Sequence, residues 1–236
     1  MLVYQNSNRG GSTVRRLTVL LFLALPAFAQ TTTRRPVVRA IGDATVSSTP
    51  DQATIVLAVE TRSATAQDAA AQNAVLSSAV LAALQALLGA NADIKTTNYS
   101  LSPLYNYPPN AQPVLTGYMV VNSIQTTLTS IGMTGKVLDT ATQAGANQIQ
   151  SLTFSLRDPE PFLAQALRQA ALKARAHADA MVSGVGLHLG NVVLMQESGA
   201  SPIVASTAPI GAALTPIQPG TVDIHATVIL ELEIVP

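Results

Sequence analysis

The chain has 236 residues, 48% of them hydrophobic, and its 13 lysines and arginines balance 13 acidic residues. No basic run stands in it, which excludes the electrostatic footprint of a nucleic-acid-binding protein. It has no cysteine, which excludes disulfide staples, thiol redox chemistry and every zinc or iron–sulfur site built on thiolates.

Residues 1–29 read as a cleavable signal peptide. Arg9, Arg15 and Arg16 form a basic region ahead of an apolar run from Leu17 to Ala29, which closes on Ala27-Phe28-Ala29. Those small alanines fit a signal peptidase pocket. The run is shorter than the roughly 20 residues a permanent span needs. No stable membrane anchor is therefore expected after cleavage, and the product is periplasmic or secreted. Cleavage removes three arginines, leaving 10 basic against 13 acidic residues, a net charge of −3. What remains suits a single domain over residues 37–236, behind an exposed tether at 30–36 (QTTTRRP). The alanine-rich composition suggests that partners cover some of the apolar surface.

Two extended segments follow the tether. Residues 37–47 lead into the turn Thr49-Pro50-Asp51. Ala53, Ile55, Leu57 and Val59 then alternate with Thr54, Val56, Ala58 and Glu60. Period two with β-branched residues predicts strands, and the proline–aspartate turn predicts a hairpin between them. A helix is predicted from Thr65, which stands at capping-box spacing from Asp68. Its apolar stripe is Leu76, Val80, Leu84, Leu87 and Leu88, and Gly89 ends it. An extended segment over 93–101 and a turn region over 102–110 lead to a strand over 115–128. In that strand Tyr118, Val120, Asn122, Ile124 and Thr126 share a face.

A second helix is predicted over 130–144, with Val137, Leu138 and Ala141 inward, Gly132 and Gly135 weakening its first turn, and Gly145 closing it. A strand over 149–156 precedes the strongest helix signal, Asp158-Pro159-Glu160: an aspartate cap, proline at the first helical position and an acidic first turn. Its stripe reads Leu163, Leu167, Ala170, Ala174, Ala178 and Met181, narrowing to alanines that permit close approach to a sheet. A short strand over 191–195, a Ser-, Ala- and Pro-rich loop over 197–220, and an alternating strand from Val222 to Ile234 complete the chain. The order ββαββαβαββ predicts an α+β fold with a mostly antiparallel sheet and helices packed on one face.

No catalytic centre, cofactor site or metal site can be read from the residues. Asp223 and His225 share a strand face, but no third ligand is placed beside them. His177 and His188 read as exposed. Gly184, Gly186 and Gly190 have neither the spacing nor the strand–loop–helix context of a dinucleotide loop, and end a helix instead. Two Pro-rich loops are the better candidates. Tyr105 and Tyr107, two of only nine aromatic residues, suit contact with a partner because tyrosine is apolar in body and polar at the tip. Ile203, Val204, Ile210, Leu214 and Ile217 fall in a segment too rich in Pro, Ser and Gly to build its own core.

The segments Gly42-Asp43-Ala44-Thr45-Val46, Thr49-Pro50-Asp51-Gln52-Ala53, Asp93-Ile94-Lys95-Thr96 and Leu101-Ser102-Pro103-Leu104-Tyr105-Asn106-Tyr107 carry a resemblance. So do Leu115-Thr116-Gly117-Tyr118, Ala144-Gly145-Ala146-Asn147, Phe154-Ser155-Leu156-Arg157-Asp158-Pro159, Leu187-His188-Leu189-Gly190 and Pro219-Gly220. In this order they resemble the SIMPL-domain family of exported bacterial proteins, over essentially all of the mature chain. The resemblance implies a domain of unknown biochemical function, tied to the cell envelope and to tolerance of oxidative stress, and it supplies no catalytic residues. The matched residues are mostly turn glycines, turn prolines and caps, which set backbone shape. Three readings compete. The preferred one is a non-enzymatic envelope protein acting by association, with itself as a homo-oligomer or with another envelope protein. The others are a binding module for a small apolar or peptidic ligand, and a hydrolase or metal enzyme of unrecognised type.

Overall fold

The computed structural model describes residues 35–204 and 217–236. The expected signal peptide, residues 30–34 of the tether, and Ile210 and Leu214 of the second Pro-rich loop lie outside these residues. The elements are β1 (Val37–Ser48), β2 (Gln52–Ser63), α1 (Ala66–Leu88), β3 (Asp93–Asn106) and β4 (Val114–Leu128). A 3₁₀ turn (Ile131–Met133), α2 (Thr134–Ala144), β5 (Gln148–Ser155), α3 (Glu160–Ser183), β6 (His188–Val204) and β7 (Val222–Val235) follow. This is the expected α+β order with one 3₁₀ turn added, where Gly132 weakens the α-helix.

Every strand pair is antiparallel, but the strands form two sheets, β1-β7-β6 and β3-β4-β2-β5. The hairpin predicted between β1 and β2 does not form. β1 pairs along its whole length with β7, from Val37 opposite Glu233 to Ser48 opposite Val222. β2 lies between β4 and β5. The Thr49-Pro50-Asp51 corner sends the chain from one sheet to the other. The Asp51 N–H donates to the Ser155 carbonyl (3.2 Å), and its carboxylate accepts from the Arg157 N–H (2.7 Å). These bonds fasten the corner to the end of β5 and leave it no turn bond of its own.

α3 covers the first sheet. Alternate residues of β1 and β7, among them Val38, Ala40, Leu230 and Leu232, are buried against its row Ala170, Ala174, Ala178 and Val182. That row advances in steps of four and reaches Val182. Met181, expected inward, is instead 49% exposed. The small side chains let helix and sheet meet closely at Gly42, where an added Cβ would lie 2.1 Å from the Ala170 carbonyl oxygen and 2.3 Å from the Ala174 nitrogen.

α1 and α2 cover the second sheet around Ile55, Leu57, Val59, Val80, Leu84, Ile124 and Val137, none more than 1% exposed. Full burial of such a side chain stabilises by about 1.5–3 kcal/mol. α1 is capped as the sequence predicts: Thr65 Oγ1 accepts from the Asp68 N–H at 3.1 Å, and Gly89 at φ 90° ends it. Its buried row, however, is Ala69, Asn73, Ser77, Val80 and Leu84. Asn73 Nδ2 donates to the carbonyls of Val59 (2.8 Å) and Val120 (3.4 Å), and its Oδ1 accepts from Ser77 (3.1 Å). By length and composition α1 is long and apolar enough to cross a membrane. Here it is the helix that closes the core of the second sheet.

Candidate interaction site

The β3–β4 hairpin runs past the cover of its helix. None of residues 101–116 is buried, yet this end carries Leu101, Tyr105, Tyr107, Val114 and Leu115, with Tyr99 further back on β3. Tyr107 is 72% exposed and Val114 55%. Tyr105 stands opposite Leu115, and Asn106 opposite Val114. The rings of Tyr105 and Tyr107 are 6.4 Å apart and tilted by 52°, an edge-inclined pair of the favourable kind. At the tip the Ala111 N–H donates to the Pro108 carbonyl (3.3 Å), and Asn110 adopts the left-handed φ of 62°.

The hairpin offers side chains more readily than a strand edge. β3 is the outer strand of its sheet, but Pro103 removes one N–H, and register shifts at Thr96/Asn98 and Leu104/Tyr105 break its ladder. Prolines and bulges of this kind discourage strand addition. Sequence reasoning singled out Tyr105 and Tyr107 but ended the strand too early, so it missed Tyr99, Leu101, Val114 and Leu115 as their company. The alternation of Tyr99, Leu101, Pro103 and Tyr105 was the available signal.

The second candidate segment is placed differently from its partner. Ile203 and Val204 belong to β6, opposite Asp223 and Val222 of β7. The strand expected at 191–195 thus runs to residue 204, and the loop is shorter than predicted. β6 is irregular, with three register shifts, which hides its alternation. Ile217 packs against the core of the second sheet. The side chains of Ile203 and Val204, like Ile210 and Leu214, lie outside the described residues.

The titratable groups are dispersed. His225 contacts Thr45 Oγ1 (3.2 Å) and Thr227 Oγ1 (3.3 Å) on the outer face of the first sheet, while Asp223 accepts from Thr221 (3.4 Å). His177 reaches across from α3, its Nδ1–H donating to the Ile41 carbonyl at 2.8 Å. His188 is exposed at the start of β6. Among the described residues no group of three or more His, Asp or Glu side chains is placed to hold a metal ion. One ion pair perturbs its members: the bond from the Arg35 guanidinium holds the Glu233 carboxyl below the ordinary carboxylate range.

The motif residues perform backbone tasks. Asn147 donates its own N–H to the Ala58 carbonyl (3.1 Å). Its side-chain amide forks onto Glu60, accepting from the Glu60 N–H and donating to the Glu60 carbonyl, both at 2.8 Å. The side chain thereby continues the β2–β5 ladder one residue beyond β5. Asp51, Gly42 and Asn147 each serve a corner, a close approach or a strand end.

The two helix-covered antiparallel sheets and these motifs define an α+β domain held by backbone-setting residues. The chain belongs to the SIMPL family, described as a protein of unknown function (DUF541), whose model matches residues 38–231. It is similar to the 26 kDa periplasmic immunogenic protein of Brucella melitensis, 29% identical over 187 residues covering 76% of this chain and 75% of the relative. It is also similar to the uncharacterized protein YggE of Edwardsiella ictaluri (30% identical, covering 64% of this chain and 63% of the relative) and of Escherichia coli K12 (27%, covering 64% and 61%).

Proposed function

We propose that this chain is a non-enzymatic protein of the cell envelope, periplasmic in location, that acts by association with further copies of itself through the end of the β3–β4 hairpin. The observation that carries the reading is the set of large apolar side chains on a two-stranded ribbon with no helix over it, where Tyr105 stands beside Tyr107 and opposite Leu115. Contiguous exposed apolar surface of this kind is characteristic of contact sites, and tyrosines are enriched there. The periplasmic name of the Brucella relative and the signal-like first 29 residues support the location. If the protein contributes to tolerance of oxidative stress, the contribution runs through association, since a chain without cysteine has no thiol chemistry to offer.

The absence of native cysteine makes a direct test available. Tyr107→Cys and Gln169→Cys each place a single thiol, the first on the hairpin and the second on the exposed face of α3. Alkylation of Tyr107→Cys should be several-fold slower than that of Gln169→Cys in concentrated protein, and the two rates should converge on dilution. Equal rates at every concentration would refute the hairpin as a contact surface.

A further inference from the structure

α3 covers β1 and β7 but leaves the helix-side face of β6 open. Between them runs a groove. Leu230 and Leu232 form its floor, Ala171 and Leu172 one wall, Val192 and Met195 the other, around a cavity of about 330 Å³. A second hollow of about 350 Å³ continues it past Leu167 and Val228 to Glu197. The registers Val192 opposite Leu232, Met195 opposite Leu230 and Glu197 opposite Val228 make the groove about 13 Å long, the span of five strand residues. Leu172 is 70% exposed and Met195 60%, so nothing in the described chain covers it.

Arg168 and Arg175 border this groove on the α3 side. They stand seven residues apart with Leu172 between them, on one face of the helix. Neither makes an ion pair or hydrogen bond with a described residue. The other cations around this sheet are paired: Arg35 with Glu233, Arg39 with Glu231, Lys173 with Asp43. An apolar trough bordered by two unpartnered guanidinium groups calls for an occupant that is apolar along its length and anionic at one end.

We infer that this groove binds a single-chain anionic amphiphile, a medium-chain fatty carboxylate, with its tail over Leu230, Leu232 and Met195 and its head group at Arg175. The head lies at the Arg175 end because Glu197 places a carboxylate at the other. An acyl chain suits the trough better than a peptide does. The trough has almost no polar lining, so the amides of an extended peptide would be buried without partners, whereas an acyl chain has none to satisfy. The cavity falls in the range of about 300–1,000 Å³ usual for small-molecule sites. The inference is independent of the hairpin contact, which lies on the other sheet.

Calorimetric titration of the full exported protein with dodecanoate, below its micellar concentration, tests it. Dodecanoate should bind once per chain, and dodecyltrimethylammonium, of similar tail but opposite charge, at least tenfold more weakly. Arg175→Ala should weaken dodecanoate binding about tenfold, the effect of losing one charged hydrogen bond. Met195→Glu should abolish binding, while Arg39→Ala should leave it unchanged. Both groove positions are exposed, and unchanged melting curves would confirm that the variants fold. Equal binding of the anionic and cationic amphiphiles, or full binding by Met195→Glu, would overturn the inference. So would a lack of dodecanoate binding together with a fall in molar mass on Met195→Glu, since the groove would then be a contact between copies.

Discussion

Gly42 of β1 and Ala174 of α3 are in backbone contact: a Cβ on Gly42 would lie 2.3 Å from the Ala174 nitrogen and 3.0 Å from its Cα. No side chain can move aside to relieve that clash, because the atoms met belong to a helix backbone. Gly42→Ala must push α3 away from β1 and should destabilise the protein by about 3 kcal/mol. Gly132, which has nothing within 4 Å of its Cβ position and no positive φ, should accept alanine with a change within about 1 kcal/mol. Urea unfolding of the two variants beside the parent measures both.

Asn73 is fully buried and ties α1 to β2 and β4 through the carbonyls of Val59 and Val120. Asn73→Ala removes both donated bonds and leaves Ser77 without its acceptor. The expected loss is about 3 kcal/mol, from the cavity and the unsatisfied hydroxyl together. The Ser77→Ala variant should cost less, since Asn73 keeps its two carbonyls. Denaturant midpoints of the two single variants and the double variant would show the coupling.

The Arg35–Glu233 pair fastens the start of β1 beside the bond from the Ile234 N–H to the Pro36 carbonyl, 2.9 Å. The Glu233 pKa is lowered chiefly by the hydrogen bond from Arg35. A lowered folded-state pKa contributes stability above the unfolded carboxylate range, and that stability is lost as pH falls through the folded value. NMR titration should find the Glu233 midpoint below that of free glutamate. Arg35→Ala should move its titration upward towards the ordinary glutamate value, and an unmoved titration would contradict the assignment.

Much of this fold was legible in the sequence because its signals are local. Thr65 and Asp68 marked the start of α1, Gly145 the end of α2, and the alternation from Val222 to Ile234 marked β7. What was not legible depends on distant partners. The Pro50-Asp51 corner looks like a hairpin until Ser155 and Arg157, a hundred residues away, are seen to occupy Asp51. The apolar stripe of α1 runs through Leu76, Val80, Leu84, Leu87 and Leu88, whereas Asn73 is buried because the Val59 and Val120 carbonyls accept from it, and Ser77 because Asn73 accepts from it. β6 escaped recognition beyond Met195 because its bulges destroy period two. Of the candidate site, the tyrosines were found from composition alone. Their setting on a long hairpin required knowing that Pro103 sits inside an edge strand.

Association through the hairpin is the claim on which the proposed function rests, and the molar mass of the protein in solution tests it most directly. Light scattering at increasing concentration should give an integer multiple of the chain mass greater than one. A variant carrying Tyr105→Ser, Tyr107→Ser and Leu115→Ser, three exposed positions whose combined change should cost about 1–3 kcal/mol including the lost ring pair, should fall towards the monomer. A parent protein that remains monomeric throughout, or an oligomer whose mass the triple variant leaves unchanged, would contradict the account.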